Sequence, residues 1–213
     1  MHSLTINHWK AMKRILHYIK GTINQGLLFA KNTYFRLLSF ADADCGADID
    51  DRRSIIGYCV YLGRNLIVWK CNKQQAVNRS SIEVEFRTLA AMQSKLVWTQ
   101  NLLHKLNIQI LIVPIIYCDN QSTYLLATNP ILHNKFKHFE LDLHFVREHV
   151  TNKKLYITHI PVFEQVVYIF TKTLVIRLFN KFKHKFRVIS SSPFSLKGLL
   201  TVVLLNRKRE DNN

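Results

Sequence analysis

LLSFADADCGADIDDRRSIIGYCVYLGRNLIVWKC, residues 37 to 71, holds three apolar runs separated by turn formers. The runs LLSFAD (37–42), IIGYCVYLG (55–63) and NLIVWKC (65–71) are rich in β-branched and aromatic residues, which pack well on a pleated surface. Gly63, Arg64 and Asn65 punctuate the last two, so the stretch reads as an antiparallel meander of three strands. Between its first two runs it also crowds five aspartates into residues 42 to 51, in a chain with 30 Lys and Arg against 14 Asp and Glu. That local reversal of charge is the second feature the sequence asks to have explained.

Outward from the meander, HWKAMKRILHYIKG (8–21) spaces Trp9, Met12, Ile15, Leu16 and Ile19 near the helical period and ends at Gly21, a C-cap signal. It predicts an entry helix. Downstream, Ser80 and Glu83 stand at capping-box spacing and open a long helix, SSIEVEFRTLAAMQSKLVWTQNLLHKL (80–106). ILIVPIIYCDN (110–120) reads as a buried strand ending at Asp119, followed by a short helix QSTYLLAT and a His-rich amphipathic helix over 138–150. A strand LYITHIP (155–161) and a last helix from about Phe163 complete the order. Three strands, helix, strand, helices, strand, helix describe a mixed sheet flanked by helices, an α/β architecture.

At 213 residues and 48% apolar content, the chain can bury one sizeable core with a small appendage. A formal charge of +16 exceeds what solubility needs and points to a polyanion, with nucleic acid favoured over an anionic membrane. The late apolar run LKGLLTVVLL (196–205) is about half of the roughly 20 residues needed to cross a bilayer, so no membrane partner is expected. The N-terminal stretch lacks the uninterrupted apolar segment of a secretory signal; being basic and free of acids up to Asp42, it leaves a mitochondrial transit peptide open. Cys45, Cys59, Cys71 and Cys118 form no CxxC, which favours reduced thiols in an intracellular protein, cytoplasmic or nuclear. The pairs His133/His138 and His144/His149 have no later cysteine to complete a zinc site.

The acids outside the cluster fall at element ends. Asp42 ends the first strand, Glu85 lies in the opening turns of the long helix, and Asp119 closes the fourth strand, so a mixed sheet can bring three carboxylates together. Such convergence implies a divalent cation, because Mg²⁺ prefers carboxylate and water oxygens, and two such ions can clamp the attacking and leaving oxygens in phosphodiester hydrolysis. Glu85, three after Ile82 and four before Leu89, leans toward the apolar stripe more than Glu83 does. A calcium loop counted from Asp42 fails, with Ala47 where Gly is needed and Arg53 where Glu is needed. Asp48, Asp50 and Asp51 read as a solvated turn, with Asp44 a neighbour of the candidate ligand Asp42.

The runs ADADCGADIDDRRSIIGYCVYLGRNLIVWK, SSIEVEFRTLAAM, IIYCDNQSTYLLATNPILHNKFKHFELDLHFVRE and EQVVYIFTKTL together resemble the ribonuclease H domain of copia-type LTR retrotransposon polyproteins, plant copies especially. The resemblance covers nearly the whole chain. It implies a ribonuclease H-like mixed five-stranded sheet, antiparallel over its first three strands and flanked by helices, with an N-terminal helix and a basic C-terminal tail. It divides the chain into the end of a reverse transcriptase connection (1–32), the ribonuclease H-like domain (33–176) and the tail (177–213). The implied activity is hydrolysis of the RNA strand of an RNA–DNA hybrid through two Mg²⁺ or Mn²⁺ ions, with the reverse transcriptase part of the same polyprotein as ancestral partner. Carried over by residue, the ligands are Asp42, Glu85 and Asp119.

The fourth acid of the family lies in an Ala-Asp-Ile-Phe-Thr-Lys pattern, and here Val167, Tyr168, Ile169, Phe170, Thr171 and Lys172 stand in its place. Tyr168 therefore occupies the expected fourth ligand position. A phenol with an ordinary pKa near 10 is neutral at pH 7 and brings neither the charge nor the oxygens of a carboxylate, so one metal site is expected to be compromised. Glu164, one turn earlier, is either a replacement or a first-turn acid favoured by the helix dipole. Cys45 stands where the family usually has Trp. His159, ahead of the last helix, sits where ribonucleases H carry a mobile histidine, and is either a proton-transfer residue or a polar surface residue. His133, His138, His144 and His149 read as exposed, and Arg52, Arg53, Lys70, Lys73 and Arg79 as candidates for phosphate contact. The two readings carried forward are an impaired ribonuclease H-like module and a catalytically inactive nucleic-acid-binding remnant.

Overall fold

The computed structural model describes residues 3, 5–31, 34–46, 50, 52–75, 77–78, 80–129 and 139–190. Asp48, Asp51, Arg79, His133, His138 and the tail beyond residue 190 lie outside them. The chain divides into two compact units, Phe29–Phe186 and a smaller one made of Met1–Leu28 with Arg187–Asn213.

The larger unit is built on a five-stranded sheet. Its first three strands are β2 (Leu37–Asp44), β3 (Ile55–Leu62) and β4 (Asn65–Lys73), the meander expected from sequence. Gly63, at φ 60°, makes the two-residue turn between β3 and β4, a backbone region that disfavours side chains with a Cβ. The strands β5 (Ile115–Cys118) and β6 (Tyr156–His159) add parallel to β2 and to each other, giving the order β4-β3-β2-β5-β6. This order and these directions make the mixed five-stranded sheet, antiparallel over its first three strands, that the sequence predicts. β5 is shorter than the apolar run ILIVPIIYC because Pro114 offers no N–H to a ladder; its carbonyl instead accepts from Tyr156 N at 2.9 Å.

Helix α2 (Ser81–Lys105) starts where Ser80 Oγ accepts from Glu83 N, and buries Phe86, Leu89, Met92, Leu96 and Leu103 in one core with Leu37, Val60 and Ile116 of the sheet. Helix α3 (Gln121–Thr128) is capped by Asn120, and α4 (Glu140–Thr151) packs Leu143 and Val146 into the same core. The Arg147 guanidinium is buried and donates to Leu126 O and Asn129 O, which ties α4 to the end of α3.

The single last helix expected from Phe163 is instead three pieces: a 3-10 turn Val162–Glu164, a short α5 (Tyr168–Thr171) and α6 (Ile176–Lys185). Lys172, at φ −126° and ψ 150°, is extended and ends α5. β-Branched Val166, Val167, Thr171, Thr173 and Val175 lower helix propensity through this stretch, and tertiary bonds described below use its side chains.

In the smaller unit, α1 (Ile6–Thr22) opens on Thr5, which forms a capping box with His8, and carries no buried residue. It runs past Gly21, the expected stop, because Thr22 Oγ1 satisfies Tyr18 O at 2.9 Å. β1 (Gln25–Leu27) and β7 (Val188–Ser190) pair antiparallel. Among the described residues no helix is long and apolar enough to cross a membrane.

Candidate active site

Asp42 sits within β2, two residues before the strand's end, with its side chain almost wholly buried. Its cross-strand partner is Gly57. A Cβ on Gly57 would lie 2.8 Å from Thr171 Cγ2 and Val167 Cγ1, so the bare backbone lets α5 close onto the sheet. Through that approach Thr171 Oγ1 donates to Asp42 Oδ2, and Lys172 Nζ comes to 3.6 Å from Asp42 Oδ1. Asp42 Oδ1 is buried and has no hydrogen-bond partner, so the Lys172 charge is what faces it.

Asp119 follows β5 directly. Its Oδ1 accepts from Gln165 Nε2 at 3.0 Å and its Oδ2 from the Tyr168 hydroxyl at 2.5 Å. Gln165 is fully buried, and the same amide donates to Ala41 O at 2.9 Å, bridging the neighbouring strands β2 and β5. Glu85, five residues into α2, accepts from Asn120 Nδ2 at 3.1 Å. Glu83 is the more buried of the two, and its carboxylate pairs instead with Arg87 at 2.9 Å.

Burial pushes Asp42 up to about 6, against the pull of the Thr171 bond and Lys172, with Asp119 adding to the rise. Burial likewise pushes Glu85 up to about 7; the Asn120 bond opposes this, while Asp119 and Asp42 reinforce it. The three carboxylates therefore share one electrostatic site. Tyr168 is pushed well above the usual phenol range by burial, by its hydrogen bond to Asp119 and by all three acids. It remains a protonated donor. The Lys172 ammonium lies 3.8 Å from the Tyr168 ring centroid, held by the ring face as well as by Asp42.

The remaining candidates are more peripheral. The exposed His159 places Nε2 3.0 Å from the main-chain oxygen of Asp119 rather than from a carboxylate. Glu164 lies exposed in the 3-10 turn. His144 is exposed, while His149 Nδ1 sits 3.1 Å from Phe145 O. Arg52, Arg53, Lys70 and Lys73 are exposed, as is Cys45; Cys59 and Cys118 are buried free thiols. Gln165, Thr171, Lys172 and Asn120 are not singled out by the sequence. Each lies in a run quoted for the family resemblance, but nothing in its residue type distinguishes it from an ordinary polar surface residue.

Carboxylate oxygens are the right donor chemistry for Mg²⁺ or Mn²⁺, and Asp42 Oδ1 is an unbonded buried oxygen of that kind. The rest of the set does not fit a pair of ions. Both oxygens of Asp119 are taken by protein donors, the fourth position donates a proton instead of offering a lone pair, and a lysine faces Asp42. In keeping with this, no group of three or more His, Cys, Asp or Glu among the described residues is arranged to hold a metal ion.

No family model matches the chain. It is 40% identical over 202 residues to a retrovirus-related Pol polyprotein from transposon RE2 of Arabidopsis thaliana, covering 95% of this chain and 14% of the relative. The corresponding polyprotein from transposon RE1 of the same plant is 39% identical over 193 residues, 91% of this chain and 13% of the relative. That from transposon TNT 1-94 of Nicotiana tabacum is 30% identical over 167 residues, 78% and 12%. This chain is thus a homologue of plant-transposon Pol polyproteins over most of its own length and spans about a seventh or less of theirs. Among solved structures, LC11-RNase H1 in complex with RNA/DNA hybrid aligns at TM-score 0.47 and 11% identity, over 61% of this chain and 88% of that one. Prototype foamy virus protease-reverse transcriptase aligns at TM-score 0.40 and 10% identity, over 77% and 22%.

Proposed function

We propose that this chain is a ribonuclease H-like module of a retrotransposon Pol polyprotein that binds RNA–DNA hybrid but hydrolyses it weakly or not at all. The observation that carries the reading is the Tyr168 hydroxyl donating to Asp119 at 2.5 Å, in the position where the family pattern places a fourth acid. Three acids in one electrostatic site support a nuclease ancestry. The hydrogen-bonded phenol removes one anionic ligand and occupies an oxygen of another. The charge of +16 supplies attraction to the nucleic-acid backbone that does not depend on the acids.

A site that kept the fourth acid would offer carboxylate oxygens to a divalent ion, whose chemistry when bound would be to activate water and stabilise a leaving oxygen. In this chain neutral donors hydrogen-bond the acids and one lysine opposes their charge: Thr171 and Lys172 hold Asp42, Asn120 holds Glu85, and Gln165 with Tyr168 holds Asp119. The reverse transcriptase portion of such a polyprotein is the natural partner of the module.

Purified chain and its Tyr168→Asp variant, each given a labelled hybrid with Mg²⁺ or Mn²⁺, test the reading. The expected result is hybrid binding by both and cleavage that rises at least about tenfold in the variant, the scale of a lost transition-state contact. Strong cleavage by the unaltered chain, with no gain on substitution, overturns it.

A further inference from the structure

Outside the acid site, an open groove of about 580 Å³ is lined by Tyr58, Val68, Trp69, Lys70, Lys95 and Trp98, from strands β3 and β4 and the middle of α2. β4 is the edge strand, and its last five residues, Trp69 to Lys73, are all exposed. Trp98 is 52% exposed, which for a residue this large leaves broad ring surface in contact with water; Trp69 also borders the groove but alternates with Lys70 along β4, so its ring points to the sheet's other face. Both cations are aligned on rings: Lys95 Nζ lies 3.6 Å from the Trp98 centroid, and Lys70 Nζ 6.0 Å from that of its cross-strand partner Tyr58. Among the described residues, none lining the groove is acidic.

We propose that this groove takes a single strand of nucleic acid, with a base stacked on Trp98 as the Lys95 ammonium leaves the ring to meet a phosphate, and a further phosphate against Lys70. The inference rests on the nucleic-acid-binding part of the proposed function and adds a surface that the acid site does not contain. Charge complementarity selects the occupant. An exposed indole flanked by lysines suits a polyanion with flat bases, because stacking tolerates any base and lysine neutralises the backbone. A second copy of the chain, itself at +16, would bring like charge to the groove. An acidic peptide would satisfy the lysines and leave the rings without a planar partner.

The test uses the full chain in a Trp9→Phe, Trp69→Phe background, where Trp98 is the only tryptophan, titrated with oligodeoxythymidylate, oligouridylate and polyglutamate. Saturable quenching of Trp98 by an oligonucleotide is expected, and its size with DNA against RNA distinguishes the strand type. Anisotropy of a labelled oligonucleotide, read on otherwise unaltered chain, should show affinity falling at least about tenfold in Trp98→Ala and largely kept in Trp98→Phe. Lys95→Gln should reduce the slope of log affinity against log salt by about 0.7. Both side chains are at least partly exposed, and circular dichroism verifies that each variant is folded. Unchanged affinity and salt slope in Trp98→Ala and Lys95→Gln, with binding by the unaltered chain intact, overturns the groove and leaves the proposed function standing. No binding of oligonucleotide or hybrid by the unaltered chain removes both. Quenching by polyglutamate alone assigns the groove to an acidic peptide and overturns the proposal.

Discussion

Gly57 is the cross-strand partner of Asp42, and the side chain it lacks is the space that Val167 and Thr171 fill. The acid site thus depends on a residue that contributes no functional group to it. Gly57→Ala would force a Cβ to 2.8 Å from both neighbours, and packed cores accommodate such an insertion at a cost of about 1–3 kcal/mol. Urea unfolding should show that loss, accompanied by an upward shift of the Asp42 titration in a carboxyl NMR experiment as Thr171 and Lys172 move away. A Gly57→Ala variant with unchanged midpoint and unchanged Asp42 titration would contradict the close approach.

Tyr168→Phe keeps the ring beneath Lys172 and deletes only the donor to Asp119. Asp119 is only half-buried, so the oxygen left without its donor can be reached by water, and the expected cost is about 1 kcal/mol, the net worth of an ordinary hydrogen bond. Chemical denaturation should report the difference. A variant as stable as the parent would show that the phenol bond contributes nothing to holding the site closed.

Lys172 is the cation that Asp42 faces, so Lys172→Met leaves a buried carboxylate opposite no charge. The lysine side chain is 35% exposed, and solvent screening keeps the expected loss to about 1–2 kcal/mol at neutral pH. Lys172→Arg should recover most of it. Mn²⁺ added to Lys172→Met should raise its melting temperature more than it raises that of the parent, since the oxygen then exposed to the ion is no longer opposed by an ammonium. Equal responses in parent and variant would count against this role for Lys172.

The acids also set a pH dependence whose sign is unusual for carboxylates. Asp42 is raised from 3.8 to about 6 and Glu85 from 4.5 to about 7, so the folded protein holds these protons more tightly than the unfolded chain. Their contribution to stability is fully present below about pH 4 and is lost as pH rises through 6 and 7. For the buried Asp42 the change is on the order of 3 kcal/mol, and for the more accessible Glu85 it is smaller. Asp42→Asn removes one titration and keeps an oxygen for Thr171. The stability difference between parent and variant should therefore shift against the parent between pH 4 and 8, and a difference that stays flat across that range would refute the assignment.

Much of the larger unit is legible in the sequence. The three strands of the meander, the long α2 from Ser80, and α3 after Asn120 each carry a period or cap written within a few neighbouring residues. The family resemblance adds what periodicity does not contain: which acids to watch, and that Tyr168 stands in place of one. Where local signals conflict with distant contacts, the sequence misleads. It predicts a continuous last helix, because the extended Lys172 does not announce itself in residue type.

What the sequence determined by itself was the meander, α2 and α3, which depend on short-range pattern, while matched motifs named the candidate acids. What the acids face was decided by tertiary structure alone. Thr171 reaches Asp42 across 129 residues and Tyr168 reaches Asp119 across 49, contacts that exist only because a glycine on β3 lets α5 lie against the sheet. Burial then raises the affinity of Asp42 and Glu85 for protons, and donors of this chain reach each of the three acids while leaving Asp42 Oδ1 facing only Lys172.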